Sequence, residues 1–123
     1  MDNNILLEFL RDLAVKLREG SIENIDDMAR TLQMAQDHLA IIYEDYEKEE
    51  APPGAELLRE MMMEALQLMF LGVDEFFNYL EDGVEERLQE GLALAEEGND
   101  IMTSIKHTVE NNQEWSSSSS SVG

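Results

Sequence analysis

One apolar stripe constrains this chain more than any other feature. It passes through Leu58, Met62, Ala65, Met69, Val73, Phe76, Leu80, Val84, Leu88, Gly91, Ala95, Gly98, Met102, Ile105 and Val109. Every step is three or four residues, and the mean is about 3.6, the period of an α-helix. A half-buried strand would alternate with period two instead. The stripe therefore predicts either one very long helix or two helices in tight succession. In both cases the chain is all-α, a helical bundle of three or four helices.

The rest of the chain breaks into helices around a few punctuation marks. Leu6, Phe9, Leu10, Leu13 and Leu17 share one helical face and predict a helix over 4–19. Asn3 or Asn4 is its expected cap, and Gly20 its expected stop. Ser21 is the expected N-cap of a second helix over 21–50. Its core line is Ile25, Met28, Leu32, Ala35, Leu39, Ile42 and Tyr46, alternating steps of three and four as a heptad pattern does. Residues 44–50 carry five acids and one lysine. Negative charge is unfavourable at a helix C-terminus, so this end is expected to fray. Ala51-Pro52-Pro53-Gly54 is a clear break, because proline removes N–H donors and pushes the preceding residue out of helical space. A third helix is expected over 55–81 and a fourth over 84–111.

Glu81-Asp82-Gly83 decides the architecture. Asp-Gly signals a turn, and Asp82 with Glu85 has the spacing of a capping box. The unbroken phase of the stripe argues the other way, and one interior glycine costs only about 1 kcal/mol relative to alanine. The phase favours a continuous or kinked helix from Ala55 to Asn111. At ~1.5 Å per residue that helix is about 85 Å long. The second helix could cover only part of it, so a second copy would have to cover the remainder. The expectation is thus a long C-terminal helix packed as a C2 homodimer, in one domain over 1–112. Trp115 and the six serines of 116–121 predict a flexible tail over 113–123.

Charge narrows the function. Asp and Glu number 28 against eight Lys and Arg, a net charge of −20. Direct nucleic-acid binding needs clustered cations, and an anionic membrane would repel the chain. The longest apolar stretch without a charge, 65–73, is far shorter than the ~20 residues that cross a bilayer. No basic n-region precedes the first apolar residues, so no signal peptide is expected. The chain has no cysteine, which fits a cytoplasmic setting without disulfides or thiolate sites. The excess of acid serves solubility, or docking on a basic or amphipathic partner.

No chemistry-bearing motif stands out. Di-metal bundles use Glu-x-x-His pairs, but Ala35 precedes His38 at that spacing and Ser104 precedes His107. The reversed pair His107-x-x-Glu110 is expected by chance in so acidic a chain. Glu49-Glu50, Glu85-Glu86 and Glu96-Glu97 read as solvated faces. No base is placed beside a Ser or Thr nucleophile, and the seven glycines form no phosphate loop. Neither catalytic residues, a metal site nor a cofactor is expected, and the chain is not expected to be an enzyme.

Two residue sets remain as candidate contact surfaces. Leu88, Gly91, Ala95, Gly98, Met102 and Ile105 place small side chains on a core line, where two helix backbones can approach closely, inside the bundle or across a dimer. Met61, Met62, Met69 and Phe70 form an adaptable apolar surface, read either as core filling or as a partner groove. The favoured function is a non-enzymatic acidic helical interaction module that self-associates. The alternatives are an export or assembly chaperone shielding a client helix, and an acidic nucleic-acid mimic that inhibits a nucleic-acid-binding protein.

Overall fold

In the computed structural model the described residues are 5–122, with side chains described over 5–111. Four helices follow one another: α1 (Ile5–Glu19), α2 (Ile25–Lys48), α3 (Glu56–Asp82) and α4 (Glu86–Val122). The expected cap at Asn3 or Asn4 lies outside the described residues; of the expected tail over 113–123, the backbone of 113–122 continues α4, and its side chains are not described.

Local chemistry sets each boundary. Gly20 takes φ +68° after α1. Its N–H donates to the Leu17 carbonyl at 3.2 Å, and the Ser21 N–H to the Lys16 carbonyl at 3.0 Å. This pair of bonds is a Schellman motif, which occupies otherwise orphaned carbonyls. Ser21 thus closes α1 rather than opening α2, a correction to its expected role. The N-cap of α2 is Asn24, whose side chain accepts the Asp27 N–H at 3.1 Å. Between α2 and α3 the Ala55 N–H donates to the Pro52 carbonyl at 2.9 Å. Pro53 and Gly54 occupy the centre of that turn, and Gly54 has φ +87°. Proline followed by a left-handed glycine is the type II arrangement.

The continuous helix across residue 83 is not formed. Gly83 adopts φ +68° and its N–H donates to the Tyr79 carbonyl at 2.7 Å, which ends α3. The Asp82 Oδ1 then accepts the Val84 N–H at 2.9 Å, two residues on. That is an Asx turn rather than the expected capping box with Glu85. The chain reverses and α4 returns along α3. The stripe keeps its phase because its two halves face each other across the hairpin.

α3 packs most extensively on α4, while α2 lies against α3 and α1 against α4. Polar contacts show the directions. Gln36 donates to the Phe70 carbonyl at 3.3 Å, and Arg59 reaches Tyr46 and Glu47, so α2 runs antiparallel to α3. Arg11 pairs with Glu96 at 3.8 Å and Arg18 with Glu85 at 3.4 Å, so α1 runs antiparallel to α4. The result is an up-down-up-down bundle. Its core joins Leu10, Leu13, Leu32, Leu39, Leu66, Met69, Val73, Phe76, Leu88 and Ala95 from all four helices. Among the described residues no helix is long and apolar enough to cross a membrane.

Candidate functional site

The α3–α4 seam is built on glycine. A Cβ placed on Gly72 would stand 2.7 Å from the Gly91 carbonyl oxygen, and one on Gly91 would stand 2.8 Å from that of Gly72. One turn pair further along, a Cβ on Gly98 would stand 2.8 Å from the Ala65 carbonyl oxygen. Ala65 and Gly72 are seven residues apart, as are Gly91 and Gly98, so the two close approaches recur after about two turns. Leu88, Gly91, Ala95, Gly98 and Ile105 are buried, and Met102 is partly buried against the core. Of these, Gly91, Ala95 and Gly98 meet α3 of the same chain. Sequence reading passed over Gly72, although its seven-residue spacing from Ala65 mirrors that of the glycines on α4.

The four residues of the candidate groove do not form one surface. Met69 is buried in the core, and Met62 lies partly buried beside it, as their spacing of seven requires. Phe70 points toward α2 and lines a groove of about 280 Å³ with Leu39, Ala40, Tyr43, Glu44, Leu66 and Gln67. Met61 lies on another line of α3, in helical phase with Leu57, Leu68 and Leu71. His38 and His107 are both exposed, on separate helices.

A second cavity, of about 240 Å³, sits at the Pro52 end of the bundle. Tyr46 comes from the last turns of α2, and Glu49, Glu50, Ala51, Pro52 and Ala55 from the connection to α3. Leu58, Arg59 and Met62 come from α3, Ile105 and Val109 from α4. Residues 55, 58, 59 and 62 share a helical face, as do 105 and 109. Among the described residues the lining comes from α2, α3, α4 and the turn between α2 and α3, and the floor is apolar.

Arg59 holds the walls of the cleft together. Its Nε donates to the Tyr46 carbonyl at 2.8 Å and its Nη2 to the Glu47 carbonyl at 3.1 Å. A cation on the last carbonyls of α2 offsets both the helix dipole and the local carboxylates. The expected fraying near Glu50 is met by this cap, and α2 ends at Lys48 with the Glu49 N–H on the Asp45 carbonyl at 3.1 Å. The cap was not legible locally, because its donor comes from the next helix.

A second arginine secures the opposite end. Arg87 reaches Asp82 at 3.1 Å and Glu75 at 3.4 Å. The Asp82 carboxyl is held below its ordinary value, first by the Val84 N–H it accepts and then by the Arg87 guanidinium. Arg87 is raised in turn by Asp82 and Glu75. These contacts tie the α3–α4 turn and lie far from the cleft along the hairpin.

Compared with known proteins, the chain matches no protein-family model, no curated protein and no solved structure.

Proposed function

We propose that this chain is a non-enzymatic, acidic helical protein–protein interaction module, and that the cleft at the Pro52 end receives apolar side chains from a partner helix. The observation that carries this reading is the apolar-floored cavity that Leu58, Met62, Ile105 and Val109 line at the Pro52 end. The cavity is smaller than the ~300–1,000 Å³ typical of small-ligand pockets. It is of a size for one or two anchoring side chains, the feature that dominates the energetics of many interfaces. Burying a leucine or phenylalanine there contributes about 1.5–3 kcal/mol.

A module that takes up a partner's helix in its cleft suits the role of an export or assembly chaperone, which shields such a helix until delivery. The setting we propose is the cytoplasm, where a chain without cysteine has no redox requirement. The single helix through residue 83 that called for a second copy gives way to the α3–α4 hairpin, and self-association is a separate proposal tested by the mass in solution.

The test is to fill the cleft. A fluorescently labelled amphipathic helical peptide is titrated against the protein and against Ala55→Leu and Met62→Trp variants. Binding weakened at least about tenfold by either substitution, with thermal stability retained, is the expected result. Met34→Ala, on the exposed face of α2, leaves affinity unchanged. Equal binding by all four proteins would remove the cleft as the docking site.

A further inference from the structure

We infer that the helix received by the cleft is basic, with Lys or Arg flanking a short apolar line. This inference rests on the interaction reading above and specifies its partner. The walls supply the argument. Glu49 and Glu50 line the cleft, and residues 44–50 carry five acids against one lysine. The arginine in the wall, Arg59, is engaged with the carbonyls of Tyr46 and Glu47. Its charge is thereby spent on the end of α2, where the helix dipole is itself negative. An incoming helix meets apolar floor residues, Leu58, Met62, Ile105 and Val109, under an acidic rim.

A second copy of this chain fits that rim poorly. It would bring another net −20 to a surface already negative, and like charges across an interface select against a partner. Along α3 the floor of the cleft runs from Ala55 to Met62, about two helical turns or ~10 Å. Two turns take apolar residues at i, i+3 or i+4, and i+7. A helix that short is marginal by itself, since isolated helices need about 12–15 residues. The docking segment is therefore one piece of a longer helix, or it orders on binding.

Three peptides of about 16 residues test the inference. They share one apolar line and differ only in the flanking positions, which are Lys, Gln or Glu. Affinities are measured by titration calorimetry against the full chain at ~50 mM and ~500 mM salt. The Lys peptide is expected to bind at least about tenfold tighter than the Glu peptide at low salt, and the gap narrows at high salt as screening grows. The double variant Glu49→Gln, Glu50→Gln weakens the Lys peptide several-fold and leaves the Gln peptide unchanged. Equal affinities for all three peptides would overturn the basic partner while leaving the cleft as a docking site. No binding by any peptide would overturn both readings. Concentration-dependent self-association abolished by Met62→Trp would name a second copy as the occupant, and would overturn the inference as well.

Discussion

Replacing Gly91 by alanine separates a packed helix seam from an ordinary helix. In a helix free of neighbours, glycine to alanine stabilises by about 0.8–1.0 kcal/mol, because alanine has the better helix propensity. In this seam the new methyl would stand 2.8 Å from the Gly72 carbonyl oxygen and 2.9 Å from the Phe76 ring. The ring can turn only within a packed core, and the carbonyl belongs to the α3 backbone. Relief requires the two helices to separate by roughly 0.5 Å, in an interior packed at the density of a crystal. Overpacking of this kind costs about 1–3 kcal/mol, and a backbone obstacle places it toward the upper end. Net of propensity, Gly91→Ala is expected to destabilise by about 1–2 kcal/mol. For a domain of this size that lowers the melting temperature by roughly 4–8 °C.

The assay is urea unfolding followed by circular dichroism, with an unchanged slope as the check that the same surface is exposed. Ala93→Gly, at an exposed position on α4, calibrates propensity alone and is expected to cost about 1 kcal/mol. Gly72→Ala should resemble Gly91→Ala, since its methyl meets the Gly91 carbonyl at 2.7 Å. The double variant is expected to cost less than the two singles together, because the first methyl already separates the helices for the second. A rise in stability on Gly91→Ala would refute the close approach outright.

Other parts of the account make separate predictions. Arg59→Ala removes both bonds to the end of α2 and is expected to cost about 1–2 kcal/mol, the scale of partly exposed charge-assisted hydrogen bonds. Hydrogen exchange should then accelerate over 42–48 while the amides around Leu10 and Leu32 stay protected; uniform acceleration would contradict a local cap. For Asp82 the folded-state acid is stronger than the unfolded one, so its stabilising effect is fully present above the ordinary value of 3.8 and is lost as pH falls through the lower folded value. The stability gap between the parent and Asp82→Ala should hold from neutral pH to about 4 and close below it, whereas a gap that survives at about pH 2 would deny the carboxylate its role. Because the hairpin covers its own stripe, light scattering is expected to return the chain mass of 14.0 kDa at ~50 and ~500 mM salt. Twice that mass would restore the second copy.

Much of the fold could be read from residue spacing. The heptad line of α2 and the break at Pro52-Pro53 are local patterns with local causes, and the structure keeps both, except that Ile25 in the first turn of α2 is exposed rather than in the core. The turn at Gly83 was misread for a physical reason. An antiparallel hairpin directs the apolar lines of both helices at each other, so an unbroken phase does not distinguish a turn from a through-going helix. What decides is the left-handed conformation of Gly83 together with the Asp82 side chain on the Val84 N–H. Ser21 was read as the cap of α2, but the Schellman closure of α1 takes it, and Asn24 caps α2 instead.

The candidate sites were less legible because they depend on contacts between distant segments. Gly91 and Gly98 were visible as small residues on a core line, but their counterparts Ala65 and Gly72 gain meaning only once α3 and α4 are antiparallel. Met61, Met62, Met69 and Phe70 are neighbours in sequence that α3 distributes over different faces. The cleft at the Pro52 end brings together Tyr46, Met62 and Ile105, which no local pattern relates.

A methyl-resolved spectrum of the protein, recorded with and without the Lys-flanked helical peptide, tests the central claim most directly. The account predicts that the methyl signals of Leu58, Met62, Ile105 and Val109 shift together, while those of Leu10, Leu13 and Leu32 in the closed part of the bundle stay in place. Shifts confined to the α2–α3 groove around Leu39 and Leu66, or no shifts at all, would contradict it.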